Sequence, residues 1–177
     1  MREILIACGF ETDFSFALKN YANNVFESIE AQEKFLEPGT RAWLVKEALL
    51  LLDTNRVISV VGTAGVGKTV FAAALSLRLL KKDELGAIYF IKYSNRNLLC
   101  GKHVIYSIAS QLCRNIPDFT ANLTETNIDK SLESLLKLGL SQIFEYLVLE
   151  PLSREKRQDN VDARIKVIIL DGLEQFL

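Results

Sequence analysis

Apolar positions recur at helical spacing over several long stretches of the chain, with short continuous apolar runs between them. Phe14 to Leu36 carries Phe14, Leu18, Tyr21, Ala22, Val25, Phe26 and Ile29 on one stripe, which predicts a helix stopped by Pro38-Gly39. Thr40 is then placed to cap a second helix over Arg41 to Leu52. Arg56 to Val61 (RVISVV) is a β-branched run that predicts a strand buried on both faces. After a glycine-rich turn, Lys68 to Leu80 is apolar almost all round, so this helix is expected to be covered on more than one side. Ala87 to Tyr93 predicts a second strand, and His103 to Asn115, with Val104, Ile108 and Leu112 in register, a helix ended by Pro117. Ser131 to Leu149 predicts the clearest amphipathic helix, running through Gly139 at a cost of about 1 kcal/mol against alanine. A polar loop over Ser153 to Ala163 leads to a third strand, Arg164 to Leu170, which runs into Asp171. Strands alternating with helices predict an α/β fold with a parallel sheet and helices on both faces.

Composition narrows the partners. Apolar residues make up 49% of the 177 and charged residues 24%, which excludes a disordered or low-complexity chain. Lysine plus arginine (21) nearly balances aspartate plus glutamate (22), so no global basic field attracts nucleic acid or anionic membrane. Any polyanion is gripped by a local site. Cys8, Cys100 and Cys113 form no C-x-x-C pair, and with His103 alone they predict no structural zinc site and a reduced, cytoplasmic protein. Cys100 and Cys113 read as small packing residues, and Trp43 as core. Leu5-Ile6-Ala7-Cys8 imitates a lipoprotein cleavage site, but the apolar stretch before it is too short for a signal segment.

The chemistry concentrates in Gly62-Thr63-Ala64-Gly65-Val66-Gly67-Lys68-Thr69, which satisfies G-x-x-x-x-G-K-S/T between a predicted buried strand and a predicted helix. Such a loop curls its N–H groups around a phosphate, and the helix after it adds the positive end of its dipole. The predicted nucleotide-contacting stretch is Gly62 through Val70. Lys68 is expected to reach the β- and γ-phosphates and the Thr69 hydroxyl to ligate Mg2+. A second candidate is Asp171, acidic at the carboxyl end of an apolar strand, where ligands of open α/β sheets bind. It is placed to hold the same Mg2+.

The residues after it, Asp171-Gly172-Leu173-Glu174-Gln175, resemble the extended Walker B segment of the NACHT family of STAND signalling ATPases. Phe35-Leu36-Glu37-Pro38-Gly39-Thr40-Arg41-Ala42-Trp43-Leu44 is similar to the family's lead-in, and Gly86 to Phe90, Ile108 to Leu112 and Glu150-Pro151-Leu152 resemble its later segments. The likeness runs from about Phe35 to the end. It implies a three-layer P-loop NTPase core over residues 38–177 after a helical lead-in over 1–37, incomplete at its C-terminus, with about five parallel strands expected. The phosphate-loop strand would then lie open on one side, and the sensor arginine and C-terminal repeats would lie outside the chain. The resemblance also implies an ATP/ADP-controlled switch whose partners are nucleotide, further copies of itself and proteins bound through those repeats. Glu174 would position or deprotonate the attacking water in slow Mg2+-dependent hydrolysis.

The family places two adjacent acidic residues where this chain has Glu174-Gln175. A non-hydrolysing nucleotide-binding scaffold therefore stands beside the ATPase reading. An AAA-type DNA-remodelling or initiator ATPase is the other alternative, and it calls for a basic face that the charge balance does not supply.

Overall fold

The computed structural model describes residues 29, 42–91, 100–127, 137–154 and 166–176. Helix α1 spans Ala42–Leu52 and α2 spans Lys68–Lys81; strand β1 is Leu85–Phe90. Helices α3 (Gly101–Asn115) and α4 (Phe119–Asn127) come next. Helix α5 (Leu140–Phe144) passes through a π-helical stretch, Glu145–Leu149, into α6 (Glu150–Ser153). Strand β2 is Val167–Asp171, and a 3-10 turn over Leu173–Phe176 comes after it.

The fold is mixed helix and strand around a two-stranded parallel sheet, with Ile88 opposite Ile169 and Phe90 opposite Asp171. The pairing extends past both strand ends: Val167 N–H donates to Glu84 O (2.7 Å) and Ile91 N–H to Asp171 O (2.9 Å). Parallel strands need covering on both faces, and β1 is buried along its whole length. Ala87, Tyr89 and Ile91 pack with α3, α4 and the α5–α6 region, whereas Leu85, Ile88 and Phe90 pack with α1 and α2. Leu85 and Ala87 would share a face in a regular strand. A register irregularity at Gly86 separates them, and there a Cβ would meet Leu112 Cδ2, Lys166 Cβ and Val167 O, each at 3.3 Å.

Helix α3 also closes the outer edge of β1. Gln111, buried, accepts from Ile88 N–H (3.0 Å) and donates back to Ile88 O (2.9 Å), and Asn115 donates to Gly86 O (2.9 Å). These side-chain amides take the place of a neighbouring strand, so the edge is no longer a template for another chain.

Several sequence expectations hold and several do not. The helices predicted from Lys68 and His103 form, the latter starting at Gly101. The strand predicted over Arg56 to Val61 does not: Val57 is 85% and Val61 90% exposed, and the segment joins no ladder. A strand is only as good as its partner. The segment does not take up the second edge of β2 among the described residues, and β-branched side chains left in solvent lose the half-buried pleated surface on which their strand preference depends. Of the helix predicted over Ser131 to Leu149, residues 131–136 lie outside the described residues, and a helix begins after Gly139; Gly139 N–H donates to Gln142 Oε1 (3.2 Å), so the glycine caps rather than interrupts. Trp43 is exposed, not core, because it lies about 200° around α1 from buried Val45. Cys113 does pack against the core, but Cys100 is exposed at the start of α3. Of the helix predicted over Phe14 to Leu36, Ile29 alone is described, helical and buried with the α1–α2 core. Cys8, Thr40, Arg41 and most of the loop over 153–163 lie outside the described residues.

Gln111→Leu fills similar volume but leaves the Ile88 N–H and C=O unpaired, at about 1–3 kcal/mol for each buried group. The expected loss of stability is about 2–4 kcal/mol, against about 1 kcal/mol for Asn115→Ala, read from urea midpoints at unchanged m. Equal, small losses for the two variants would show that the amides do not seal the edge.

Candidate functional site

The loop Gly62–Gly67 crosses from the exposed segment after α1 to the first turn of α2. Gly62, Thr63, Ala64, Gly65 and Val66 are exposed, and Lys68, Thr69 and Val70 are half-buried. Gly65 and Gly67 take φ values of 77° and 90°, left-handed conformations that side chains rarely adopt. Gly67 sits at the N-cap of α2, and no side chain caps that end. A helix end of this kind is a natural place for an anion.

Lys68 folds back over the loop. Its ammonium donates to Gly62 O (2.9 Å) and Thr63 O (3.3 Å) and lies 3.7 Å from Glu174 Oε1. The Thr69 hydroxyl donates to Asp171 Oδ2 at 2.7 Å, joining residues 102 positions apart in the chain. Asp171 is fixed from behind, since Ile91 N–H holds its carbonyl at the end of β2. Gly172, at φ 84°, turns the chain out of the strand into the 3-10 turn that carries Glu174 back towards Lys68. The two sequence motifs therefore meet at the carboxyl end of the sheet.

Burial raises the Asp171 carboxyl from its ordinary value. The Thr69 hydroxyl bond opposes that rise, the Glu174 charge adds to it and the Lys68 charge opposes it. A hydroxyl and a carboxylate side by side form an oxygen-only pair of the sort a hard cation such as Mg2+ takes. A half-buried carboxylate that is costly to ionise is one that a cation would relieve. No group of three His, Cys, Asp or Glu side chains gathers among the described residues.

Sequence reasoning found Lys68, Thr69, Asp171 and Glu174 but did not pair Glu174 with Lys68. It also missed Gln111, although Ser107, Gln111 and Asn115 form a polar i, i+4, i+8 stripe beside the apolar one. Such a stripe on a helix otherwise buried is a readable sign of polar groups satisfied inside.

Residues 35–176, four-fifths of the chain, match the family described as "Nephrocystin 3, N-terminal". The chain belongs to that family. It is distinct from NACHT, so the family named from the flanking segments is not the one matched. No curated protein and no solved structure matches. No helix among the described residues is long and apolar enough to cross a membrane.

Asp171→Asn keeps an acceptor for Thr69 and removes the charge. A carboxyl whose folded pKa lies above its unfolded one binds its proton more tightly when folded, so stability falls as pH rises from the unfolded value through the folded one. Without Mg2+, the variant is therefore expected to melt above the wild type at pH 7. The difference should shrink as pH drops through the folded pKa towards about 4. Thermal melts at the two pH values check this; an offset that does not change with pH removes charge burial as its cause.

Proposed function

We propose that this chain is a nucleotide-binding module of the P-loop ATPase class, taking ATP or ADP with Mg2+ at Gly62 to Val70 and Asp171. The observation that carries the reading is the 2.7 Å bond between Thr69 and Asp171, which brings a complete phosphate-loop motif and an acidic strand end to one point. The loop N–H groups and the start of α2 would cradle the phosphates. Lys68, already held over the loop by Gly62 O and Thr63 O, would neutralise the β- and γ-phosphate oxygens. Thr69 and Asp171 would hold Mg2+ through their side-chain oxygens. Bound there, the ion would draw off negative charge from the β,γ-phosphate bridge. Glu174, on the same side of the site, is the candidate to orient a water for attack.

The NACHT-like flanking segments extend this proposal to a nucleotide-controlled signalling switch in the cytoplasm. ADP would favour a closed monomer, and ATP would favour self-association in a longer parent protein. A specific observation supports the second reading, a scaffold that binds without hydrolysis: Glu174 is turned towards Lys68, and Gln175 supplies no second charge. Turnover of ATP by the wild type, lost in Glu174→Gln, separates the ATPase from the scaffold.

Charge-assisted contacts are worth about 1.5–3 kcal/mol each, so Lys68→Ala should weaken ADP and ATP binding by about 10–100-fold. Thr69→Val should lower affinity only when Mg2+ is present. Isothermal calorimetry on the 177-residue chain measures both effects. Equal affinities for wild type and Lys68→Ala would overturn the assignment.

A further inference from the structure

Resting on the nucleotide-binding reading above, we infer that Glu174 is a built-in competitor of the phosphate: it binds the face of Lys68 that a nucleotide needs, and so sets how tightly this site takes its ligand. The geometry points to this through the donors of one ammonium. Lys68 has three N–H groups and no acceptor. Two partners, Gly62 O at 2.9 Å and Thr63 O at 3.3 Å, belong to the loop and tie the side chain down over it. Asp171 feels the Lys68 charge as well, but the carboxylate that forms an ion pair with the ammonium is Glu174, Oε1 at 3.7 Å. That is the role a phosphate oxygen would play.

The two partners differ in freedom. The Lys68 side chain is 22% exposed and anchored by the loop carbonyls, whereas that of Glu174 is 59% exposed on a single 3-10 turn. A fixed cation facing an exposed anion is an arrangement in which the anion leaves. Displacement costs little, because ion pairs with one exposed partner are weak and water takes up the released carboxylate. It still subtracts from every binding event, and the retained charge lies beside an incoming polyphosphate. Asp171 is no substitute for this role, since its carboxylate is engaged by Thr69. The candidate water-positioning residue thus doubles as the residue that tunes affinity.

The test is calorimetric titration of the 177-residue chain with Mg-ADP at low and high salt. Four forms are compared: wild type, Glu174→Gln, Lys68→Ala, and the double variant. Glu174→Gln is expected to bind roughly two- to five-fold more tightly than wild type, the range set by a weak ion pair. The gain should fade at high salt, where such pairs are screened. It should also vanish in the Lys68→Ala background, because there is then no ammonium to compete for. Unchanged or weaker binding by Glu174→Gln would overturn the inference while leaving the nucleotide-binding reading intact. A gain of the same size without Lys68 would overturn it too, marking general repulsion rather than competition. If neither wild type nor Glu174→Gln binds Mg-ADP while melting cooperatively, the nucleotide-binding reading fails and the inference falls with it.

Discussion

The parallel pairing of β1 with β2 is the constraint on which the other features hang. Neither strand can be joined to the other by a tight turn, so a long crossover is required, and in this chain it carries α3 to α6. A parallel pair must also be covered on both faces, and the helices before β1 and those after it supply one layer each. The ladder runs beyond the regular strands, from Glu84 O at one end to Ile91 N–H at the other. That last bond fixes the backbone of Asp171. The position of the candidate site is thus a consequence of strand register: Phe90 lies opposite Asp171, and α2, packed on the same strands, delivers Thr69 to its carboxylate.

The two edges of the sheet are treated differently. On β1 the edge is closed by Gln111 and Asn115, whose amides satisfy strand groups that would otherwise invite another chain. On β2 the alternate residues Ile168 and Leu170 are 38% and 39% exposed. The apolar segment Arg56 to Val61 is more exposed still and lies outside the ladder. Burial and pairing are therefore concentrated on β1. The glycine-rich segment Gly62–Gly67 is tied to the rest of the fold on its C-terminal side by the first turn of α2 and the bond from Thr69 to β2. In the proposed function this leaves the loop anchored on one flank, with Lys68, Thr69, Asp171 and Glu174 as its tethers.

Membership of the nephrocystin-3 N-terminal family gives the chain a place without giving it an activity. The candidate site consists of four side chains, Lys68, Thr69, Asp171 and Glu174, and two glycine-dependent turns. Its internal tension is electrostatic. Two carboxylates and one ammonium share a small space, and in the proposed function the ammonium would serve either an internal carboxylate or an external phosphate.

Much of this was legible in the chain itself. The glycine-rich turn could be read because two of its glycines, Gly65 and Gly67, take left-handed φ values that side chains rarely adopt. Helix α3 was legible because a stripe repeating every three to four residues reports a buried face, and α2 because a long apolar run after a glycine-rich turn calls for cover on more than one side. Asp171 was legible because an apolar run ending in an acid places that acid at a strand end. Tertiary structure decided the rest. Periodicity says that Arg56 to Val61 could be a strand, but it cannot say whether a partner stands beside it. Trp43 is apolar in any sequence reading, yet its angle around α1 turns it to solvent. The irregularity at Gly86, which moves Leu85 to the other core, depends on atoms of Leu112, Lys166 and Val167. Likewise the Lys68–Glu174 pair exists only because Gly172 turns the chain back after a strand whose register is set by β1. The physical reason is common to all four cases. Local sequence encodes what each segment prefers, while pairing, facing and charge contact depend on groups that only the folded chain brings together, some of them 102 positions apart.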